Sequence, residues 1–466
     1  LPARSEMCIR DRFNPMLAIA ESFARQNNDI RVVFATSENR KSAVNAAGLD
    51  FFPAWDSSEL SIETRKQFNA GGIRNADLLV QSCKSLIRSE ANYCVPFPRL
   101  EKWALHYRPA LIVSDILTEA PVAVALRHHI PYVVNTPVPP YFSFPESLPR
   151  LFPPVGSGTS IIKTSLWHRI YDFFASARYG FRIYMKLKPI IDQDRAAGVP
   201  TPEEMGNGAV AFLNCTSPLI SDPRAKLPPK VKWVGTVLSE TSAKLKDPKN
   251  FAAVWNEASC NVTYGALYSW MDEAHSHASP IVLISLGSVY ELDAPRVHAI
   301  YEALSHLPVH VLWKLSRNEQ AYLPHVAISN DRFRFVSWVP DMLLLVAHPG
   351  VKLHINHGGA NTLHEALYFG KPQVCLPAWL DCFDFAIRLQ DAGAGCCIDS
   401  APRLDASELY AKVKEVVFDN KRYATCAEKV GHDLDVRGGA TAAAAIVKEA
   451  LITALATCSP DIASEA

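Results

Sequence analysis

Short apolar runs alternate with helical patterns along most of the chain, and this alternation restricts the fold more than any other feature of the sequence. In the first half, the apolar runs predict buried strands at 30–36, 110–115, 132–136 and 209–215. Helical patterns, such as the one at 118–129, lie between several of them. Strands that alternate with helices favour βαβ units and a parallel sheet.

A second series of alternating patterns begins near residue 280. It predicts strands at 281–286, 309–315, 332–337, 351–356, 372–376 and 395–399, with helices at 294–307, 361–369 and 384–392. The intervening stretch, 236–279, is polar and irregular with a short helix near Trp270, which predicts a linker. We therefore predict an α/β protein with two doubly wound, Rossmann-like domains at 13–235 and 280–445, followed by a C-terminal helix or tail at 446–466. A cleft between two such domains is a usual place for a ligand.

Composition excludes several classes of protein. The 466 residues include 47 basic and 47 acidic side chains, and this balance argues against a nucleic-acid partner. The 11 cysteines form no C-x-x-C pair, which argues against zinc ribbons and thioredoxin-like sites and favours reduced thiols in a cytoplasmic protein. No run of uncharged apolar residues is long enough to predict a membrane-spanning helix, and the N-terminus lacks a signal-peptide core.

Residues 137–200 interrupt the first series and are rich in proline and aromatic residues. The second part of this segment predicts an amphipathic, basic and aromatic helix. Packing of this helix on its own domain is one interpretation. The wall of an apolar substrate pocket, or peripheral contact with a membrane surface, is the other. The pattern does not indicate an oligomeric state.

Unusual polar and aromatic residues follow four strands of the second series. They are Gly287 and Ser288, then Trp338 and Val339, then residues 357–362, and then residues 377–381. Because ligands bind beyond the carboxyl ends of the strands in open parallel sheets, we expect these residues to lie side by side on one rim.

The segment that begins at His357 predicts a phosphate cradle. Gly358 and Gly359 let the backbone approach a ligand, and the following helix directs its free N–H groups and positive dipole end at the same point. Asn361 and Thr362 add side-chain donors, but the lysine of a P-loop is absent.

Other strand-end residues supply the remaining parts of a sugar-nucleotide site. Trp338 is suited to stack on a nucleobase, Glu365 to bind ribose hydroxyls and Asp381 to bind sugar hydroxyls. Gly287 and Ser288 can offer backbone donors to a second phosphate. Each of these residues alone is more often a turn, core or surface residue; their order at successive strand ends favours a site.

Four nearby histidines raise the alternative of a metal site: His348, His354, His357 and His364. His354 and His357 are three residues apart across a strand end and should not share a face. No cysteine or acidic residue completes a zinc set, so we predict no metal.

The residues from Trp338 to Cys382 resemble the sugar-donor signature of the UDP-glycosyltransferases. The signature reads W-V-P, H-P, H-G-G-x-N-T-x-x-E, G-x-P and P-x-x-x-D, and these elements stand at 338–340, 348–349, 357–365, 370–372 and 377–381. Residues 233–235 and 13–16 are similar to the end of the family's N-terminal domain and to its G-H-x-x-P loop. The pattern is most similar to the fungal-type, small-molecule branch.

This resemblance implies the GT-B fold, in which two facing Rossmann-like domains bind the acceptor and the UDP-sugar. It implies inverting, metal-independent transfer of a hexose, with glucose as the default, to a hydroxyl of a small, apolar acceptor. The UDP-sugar is a co-substrate, so no cofactor is expected. By resemblance, Trp338 and Val339 bind uracil, Glu365 binds ribose and Asp381 binds the sugar, and the remaining donor-site residues are Gly287, Ser288, His357, Gly359, Asn361, Thr362 and Cys382.

The family's catalytic pair is a histidine base and the aspartate that orients it. Asp115 matches the aspartate, whereas Arg12 occupies the histidine position. Residues 1–12 contain no apolar run that could form a buried strand, and Asn14 and Pro15 predict the start of a helix. Either unrelated residues replace the true start, or the protein has lost its first strand and its base.

Other departures affect the donor site. Cys382, Phe385 and Asp341 stand where the family often has Gln, Asn and Gln. The alternative function is therefore a sugar-nucleotide-binding protein whose catalysis is impaired because it lacks the general base. A third hypothesis, a sugar-nucleotide epimerase of the same fold, is disfavoured by Trp338 and by the motif at 357–365.

Overall fold

The computed structural model describes residues 7–55, 95–140, 143–147, 195–221, 225–287, 290–377, 380–398, 403–419 and 421–457, with isolated positions from 160 to 192. Within these ranges the strands form three parallel sheets, two in the N-terminal half and one in the C-terminal half. Helices connect the strands, which confirms the predicted doubly wound α/β class.

The N-terminal sheets contain six described strands. The first sheet pairs two strands and the second has the order β3-β4-β5-β6. Their bounds are β1 (Val33–Ser37), β2 (Asp50–Trp55), β3 (Ile112–Asp115), β4 (Tyr132–Thr136), β5 (Ala211–Asn214) and β6 (Val231–Trp233). The four strands predicted here all occur, whereas the sequence patterns did not indicate β2 and β6.

The C-terminal sheet has six strands in the order β12-β11-β10-β7-β8-β9. Every residue of β7 is buried, because helices cover both faces of a parallel sheet. All six strands were predicted from the sequence. Their bounds are β7 (Ile281–Ser285), β8 (His310–Lys314), β9 (Phe333–Val336), β10 (Val351–Asn356), β11 (Gln373–Cys375) and β12 (Gly395–Cys397).

The described α-helices are numbered along the chain. In the N-terminal half they are α1 (Met7–Gln26), α2 (Lys41–Ala46), α3 (Pro96–Tyr107), α4 (Glu119–Arg127) and α5 (Pro202–Gly208). Next come α6 (Glu240–Lys244), α7 (Pro248–Ser259), α8 (Gly265–Ser276), α9 (Ala294–Ser305), α10 (Arg317–Gln320), α11 (His325–Ile328) and α12 (Met342–Ala347). The last are α13 (Ala360–Tyr368), α14 (Leu380–Asp391), α15 (Ala406–Lys414), α16 (Arg422–Val436) and α17 (Gly439–Thr457).

The predicted linker at 236–279 is instead helical and belongs to the C-terminal core. Helices α7 and α8 contribute Trp255, Tyr268, Trp270 and Met271 to a buried cluster that also contains Ile281 and Leu283 of β7. The short helix predicted near Trp270 is α8, whereas α6 and α7 were not predicted. Burial of three large aromatic side chains fixes this segment on the sheet.

The chain start differs from the predicted one. Helix α1 begins at Met7, so Asn14 is not its start, and Pro15 lies inside it. A proline within a helix removes one backbone hydrogen bond, and the helix-forming residues before it extend α1 toward the N-terminus. Arg12 is therefore helical rather than part of a loop.

Strands β1 and β3 are not paired with each other in the described part of the chain. Each lies at an end of its own sheet. Val33, Phe34 and Ala35 of β1, and Ile112 and Val113 of β3, are only half-buried, whereas β4 is buried throughout. Among the described strands, none pairs with both β1 and β3.

Helix α17 returns to the N-terminal half. Ala443, Ala444, Val447 and Leu451 pack in one cluster with Ile19 of α1 and with β4 and β5. Although the sequence predicted no spanning helix, the stretch Arg422–Thr457 is long and apolar enough to cross a membrane by length and composition. Core helices meet the same criteria, and the buried face of α17 is accounted for by these contacts.

Most of the aromatic segment at 137–200 lies outside the described residues. The positions described between 167 and 192 are helical. Four of them are large apolar residues that are 51–78% exposed: Trp167, Phe174, Phe181 and Met185. Peripheral membrane contact by this helix stays a prediction.

Candidate functional site

The loop between β10 and α13 contains the predicted phosphate cradle. Gly358 has a φ of +77°, and a Cβ there would lie 2.7 Å from the carbonyl oxygen of Cys382. Only glycine fits this position without strain, because the conformation and the space both exclude a side chain. The loop therefore lies directly against the first turn of α14.

The His357 ring lies between two glycines. A Cβ at Gly287, which has a φ of +73°, would lie 2.7 Å from the His357 ring, and a Cβ at Gly359 would be closer still. Burial lowers the pKa of His357 to about 4, so the imidazole is neutral near pH 7. The structure thus brings together Gly287, His357 and Gly359, as predicted; Ser288 lies outside the described residues.

Two buried amide side chains support the cradle, and the sequence analysis missed them. Asn356 Oδ1 accepts a hydrogen bond of 2.8 Å from the Gly358 N–H, and its Nδ2 donates to Gln373 Oε1 at 2.6 Å. Gln373 Nε2 in turn donates to the Leu363 carbonyl at 2.9 Å. A signal was available, because amides are unusual in strands that are buried on both faces.

Helix α13 presents a polar face next to this loop. Asn361, Thr362 and Glu365 are half-buried, whereas Leu363 and the other residues of the opposite face are buried. Its N-cap residue is Gly359, and no side chain caps the first turn. The backbone N–H groups at this helix start can therefore bind an anion.

An aromatic pair lies beyond the end of β9. Trp338 is 47% exposed, and its ring centroid lies 5.8 Å from that of Tyr264, next to α8. Val339 is buried beside it. Asp341 caps α12 by accepting hydrogen bonds from the N–H groups of Leu343 and Leu344, which explains an aspartate at this position. Tyr264 was not predicted, because it precedes the strand series.

The start of α14 forms another wall of the site. Asp381 lies in the first helical turn and is half-buried. Cys382 is fully buried, so its backbone carbonyl rather than its thiol contacts the cradle at Gly358. Phe385 is also buried in the core of the domain.

The predicted catalytic aspartate lies at the end of β3. Asp115 is 5% exposed, and its Oδ1 accepts a hydrogen bond of 2.9 Å from the Leu117 N–H. Asn135 is its register partner on β4, and Asn135 Oδ1 accepts a hydrogen bond from Cys215 Sγ. Burial and the nearby Asp115 raise the pKa of Cys215, so the thiol stays protonated. Arg12 is in α1, but its side chain lies outside the description.

The N-terminal strand ends and α13 meet directly. Thr216, which follows β5, has its Oγ1 2.5 Å from Nε2 of His364. The sequence analysis gave neither residue this role, because no local pattern links positions so far apart. Among the described residues, no group of three or more histidines, cysteines and acids could hold a metal ion.

Comparisons with known proteins agree with this arrangement. The sequence family described as "UDP-glucoronosyl and UDP-glucosyl transferase" matches residues 268–437. The chain is 25% identical over 251 residues to the 2-hydroxyacylsphingosine 1-beta-galactosyltransferase of Rattus norvegicus. This match covers 54% of this chain and 41% of that protein. It is 34% identical over 185 residues to glycosyltransferase sdnJ of Sordaria araneosa, and this match covers 33% of this chain and 35% of that protein. The matched part spans less than half the length of these relatives.

Solved structures show the same fold over nearly the whole chain. Os79 from O. sativa, solved in complex with UDP, has a TM-score of 0.64 at 15% identity and covers 96% of this chain and 98% of its own. The calicheamicin glycosyltransferase CalG4 has a TM-score of 0.59 at 17% identity, with 94% of both chains covered. These neighbours are GT-B proteins, so the predicted GT-B architecture is confirmed.

Proposed function

We propose that the chain, whose residues 268–437 match the UDP-glycosyltransferase family, binds a UDP-sugar and transfers the hexose, with inversion, to a hydroxyl of a small apolar acceptor. The observation that carries this proposal is the donor site itself. Trp338, the cradle at 357–359, the polar face of α13 and Asp381 all lie beyond the carboxyl ends of strands in one sheet. This is where open parallel sheets bind nucleotides.

The nucleoside would bind at Trp338 and Glu365. The half-exposed indole of Trp338 offers a face for stacking on uracil, and Tyr264 supports it from one side. Glu365 lies one turn beyond Asn361 on the polar face of α13, where its carboxylate can accept hydrogen bonds from the ribose hydroxyls.

The diphosphate would bind at the start of α13. The uncapped N–H groups of the first turn and the helix dipole favour a negative charge, and Asn361 and Thr362 add neutral donors. His357 is neutral, so it can act as a hydrogen-bond donor but not as a cation. Asp381 would bind the hexose, for which we propose glucose.

The acceptor would bind against the ends of β3, β4 and β5. In an inverting transfer, a base removes the proton of the acceptor hydroxyl, and the oxygen attacks the anomeric carbon while UDP leaves from the opposite face. Asp115 is the only acidic residue among the described residues of these three strands, and it is placed to orient or replace such a base.

A second candidate function is favoured by one specific observation. Arg12 lies in α1, and a guanidinium stays protonated, so it cannot accept a proton near pH 7. The chain would then bind UDP-sugars but transfer the sugar poorly. Donor binding is common to both candidates, and transfer separates them.

Calorimetric titration of the full chain with UDP tests the donor site. Trp338→Ala and Glu365→Ala should each weaken binding by about 1–3 kcal/mol, or roughly 5- to 150-fold, because each removes a stack or a charged hydrogen bond. Asp381→Ala should weaken UDP-glucose more than UDP.

The matched control for Glu365→Ala uses the same substitution away from the site. Glu449→Ala, at an exposed position of α17, should leave UDP affinity unchanged. Wild-type affinity in both Trp338→Ala and Glu365→Ala would remove the donor-site assignment. If binding is normal, assays with UDP-glucose and a panel of apolar alcohols then distinguish the enzyme from the binding protein.

A further inference from the structure

One buried hydrogen bond joins the helix of the proposed donor site to the strand ends of the N-terminal sheet. The Oγ1 of Thr216 and the Nε2 of His364 are 2.5 Å apart. Both side chains are only 2% exposed, so water does not compete for this bond. In such a dry environment a hydrogen bond is electrostatically stronger than at the surface, and breaking it leaves a buried polar group unpaired.

The direction of this bond follows from the state of the imidazole. Burial lowers the pKa of His364 to about 4, so the ring is neutral near pH 7. The ring also forms a hydrogen bond with the backbone of Ala360, one turn earlier in α13. With the proton on Nδ1, Nε2 accepts the hydroxyl proton of Thr216; in the other tautomer, Nε2 donates to the Thr216 hydroxyl.

His364 is anchored in the C-terminal domain and is contacted by Thr216 from the N-terminal one. Its ring meets the edge of Phe385 in α14, with centroids 5.3 Å apart and planes at 85°. Its carbonyl accepts a hydrogen bond of 3.4 Å from Thr236 Oγ1. The residue therefore connects α13 and α14, which carry Glu365 and Asp381, to Thr216 of the N-terminal half and to Thr236, which follows β6.

On the N-terminal side, Thr216 directly follows Cys215. The thiol of Cys215 donates to Asn135 Oδ1 at 2.8 Å, and Asn135 is the register partner of Asp115. A short series of buried contacts thus runs from α13 to the predicted catalytic aspartate. Position matters here, because small misplacements of reacting groups reduce transfer rates strongly.

We infer that the Thr216–His364 contact transmits occupation of the donor site to the acceptor-side strand ends. The inference rests on the proposed function, because the donor is taken to be a UDP-sugar bound at α13. Binding orders α13, and through His364 and Thr216 it also orders the ends of β5 and β3. His364 is a positioning residue: its side chain is buried, whereas Asn361 and Glu365 are half-buried.

Hydrogen exchange on the full chain, with and without saturating UDP, tests this coupling. In the wild type, UDP should slow amide exchange at 357–368 and also at 111–116 and 211–216, the latter by about fivefold or more, the lower end of measured coupling energies. Thr216→Val and His364→Phe should keep the protection at 357–368 and lose it at 111–116 and 211–216. Thr216→Ser should retain both, because it keeps the hydroxyl.

Thr136→Val is the matched control. Thr136 is fully buried, but its hydroxyl donates to the Val138 carbonyl at 3.2 Å within its own domain. Thr136→Val should therefore keep the UDP protection at 111–116 and 211–216. If Thr136→Val loses this protection as well, its loss in Thr216→Val reflects general destabilisation.

The outcomes separate the two proposals. Absence of UDP protection at 357–368 in the wild type would contradict the proposed function. Protection there without any at 211–216, or protection at 211–216 that survives in both Thr216→Val and His364→Phe, would overturn the coupling while leaving the donor site intact. If Thr216→Val fails to fold, His364→Phe, which keeps a ring of similar size, decides the question.

Discussion

The side-chain amides of Asn356 and Gln373 are hydrogen-bonded at 2.6 Å inside the C-terminal sheet. Their remaining atoms bind the Gly358 N–H and the Leu363 carbonyl. Two neighbouring strands thereby hold both the cradle loop and the helix that follows it. The backbone of the proposed phosphate site is held by hydrogen bonds from these two buried side chains.

Gln373→Leu should damage both stability and donor binding. The substitution leaves Asn356 Nδ2 and the Leu363 carbonyl without their partner, which we expect to lower the free energy of unfolding by about 1–3 kcal/mol. UDP affinity should fall as well, because the cradle loses its support. Urea unfolding and UDP titration measure the two effects.

Gln320→Leu is the control for this substitution. It removes a similar hydrogen bond, of 2.8 Å to the Leu315 carbonyl, away from the cradle. It should lower stability but leave UDP affinity unchanged. Normal UDP binding by Gln373→Leu would show that the amide pair supports only the fold.

The protein should lose stability in mild acid. Burial lowers the pKa of His354 to about 3 and those of His357 and His364 to about 4. The unfolded chain, with a histidine pKa of about 6.5, binds more protons between these values. The stability that these neutral histidines contribute is therefore fully present above about pH 6.5 and is lost as the pH falls toward 4. The free energy of unfolding is lower by about 1.4 kcal/mol per histidine at pH 5.5.

Urea unfolding midpoints at pH 7.5 and 5.5 measure this loss. His354→Leu should reduce the difference between the two pH values, because it removes one of the groups that bind a proton on unfolding. The substitution breaks no hydrogen bond of the ring, since neither ring nitrogen has a partner among the described residues. His325→Leu, at an exposed position, should not change the difference. An identical pH dependence in the wild type and His354→Leu would contradict the assignment.

Catalysis should depend on residues 1–12. Arg12→His alone should restore little transfer, because position 12 lies in a helix. Replacing residues 1–12 with an apolar strand that ends in Gly-His should let the facing edges of β1 and β3 pair with it and should raise the melting temperature. With a base in place, transfer from UDP-glucose should increase by about 10²- to 10⁴-fold.

The control is a replacement segment that carries charged residues at the positions that are apolar in the first replacement. It should restore neither the melting temperature nor the transfer activity. Robust transfer by the unmodified chain would show that the base lies elsewhere, and Asp115→Asn would then be the first variant to test.

Donor binding should not require a metal ion. The start of α13 already supplies backbone donors for the diphosphate, and the described histidines form no metal cluster with acids or cysteines. UDP affinity should be the same before and after treatment with a chelator. A loss of affinity that added magnesium or zinc reverses would contradict this prediction.

The sequence by itself determined the strands of the C-terminal sheet and the residues that follow their carboxyl ends. Apolar periodicity placed all six strands of the C-terminal sheet, because it reflects which residues of a strand are buried. The residues from Trp338 to Asp381 stood at successive strand ends, and the rule that parallel strands end on one rim was enough to group them. These are local patterns, or consequences of local patterns.

Only the tertiary structure decided how distant segments meet. Asn356–Gln373 and Thr216–His364 join residues that no short pattern connects, and each pair depends on the order of strands or on the docking of two domains. The sequence predicted a short helix near Trp270, but the packing of Trp255 and Trp270 with residues of β7 follows only from the tertiary structure. Contacts between distant residues depend on how the elements pack, and periodicity along the chain carries no information about that.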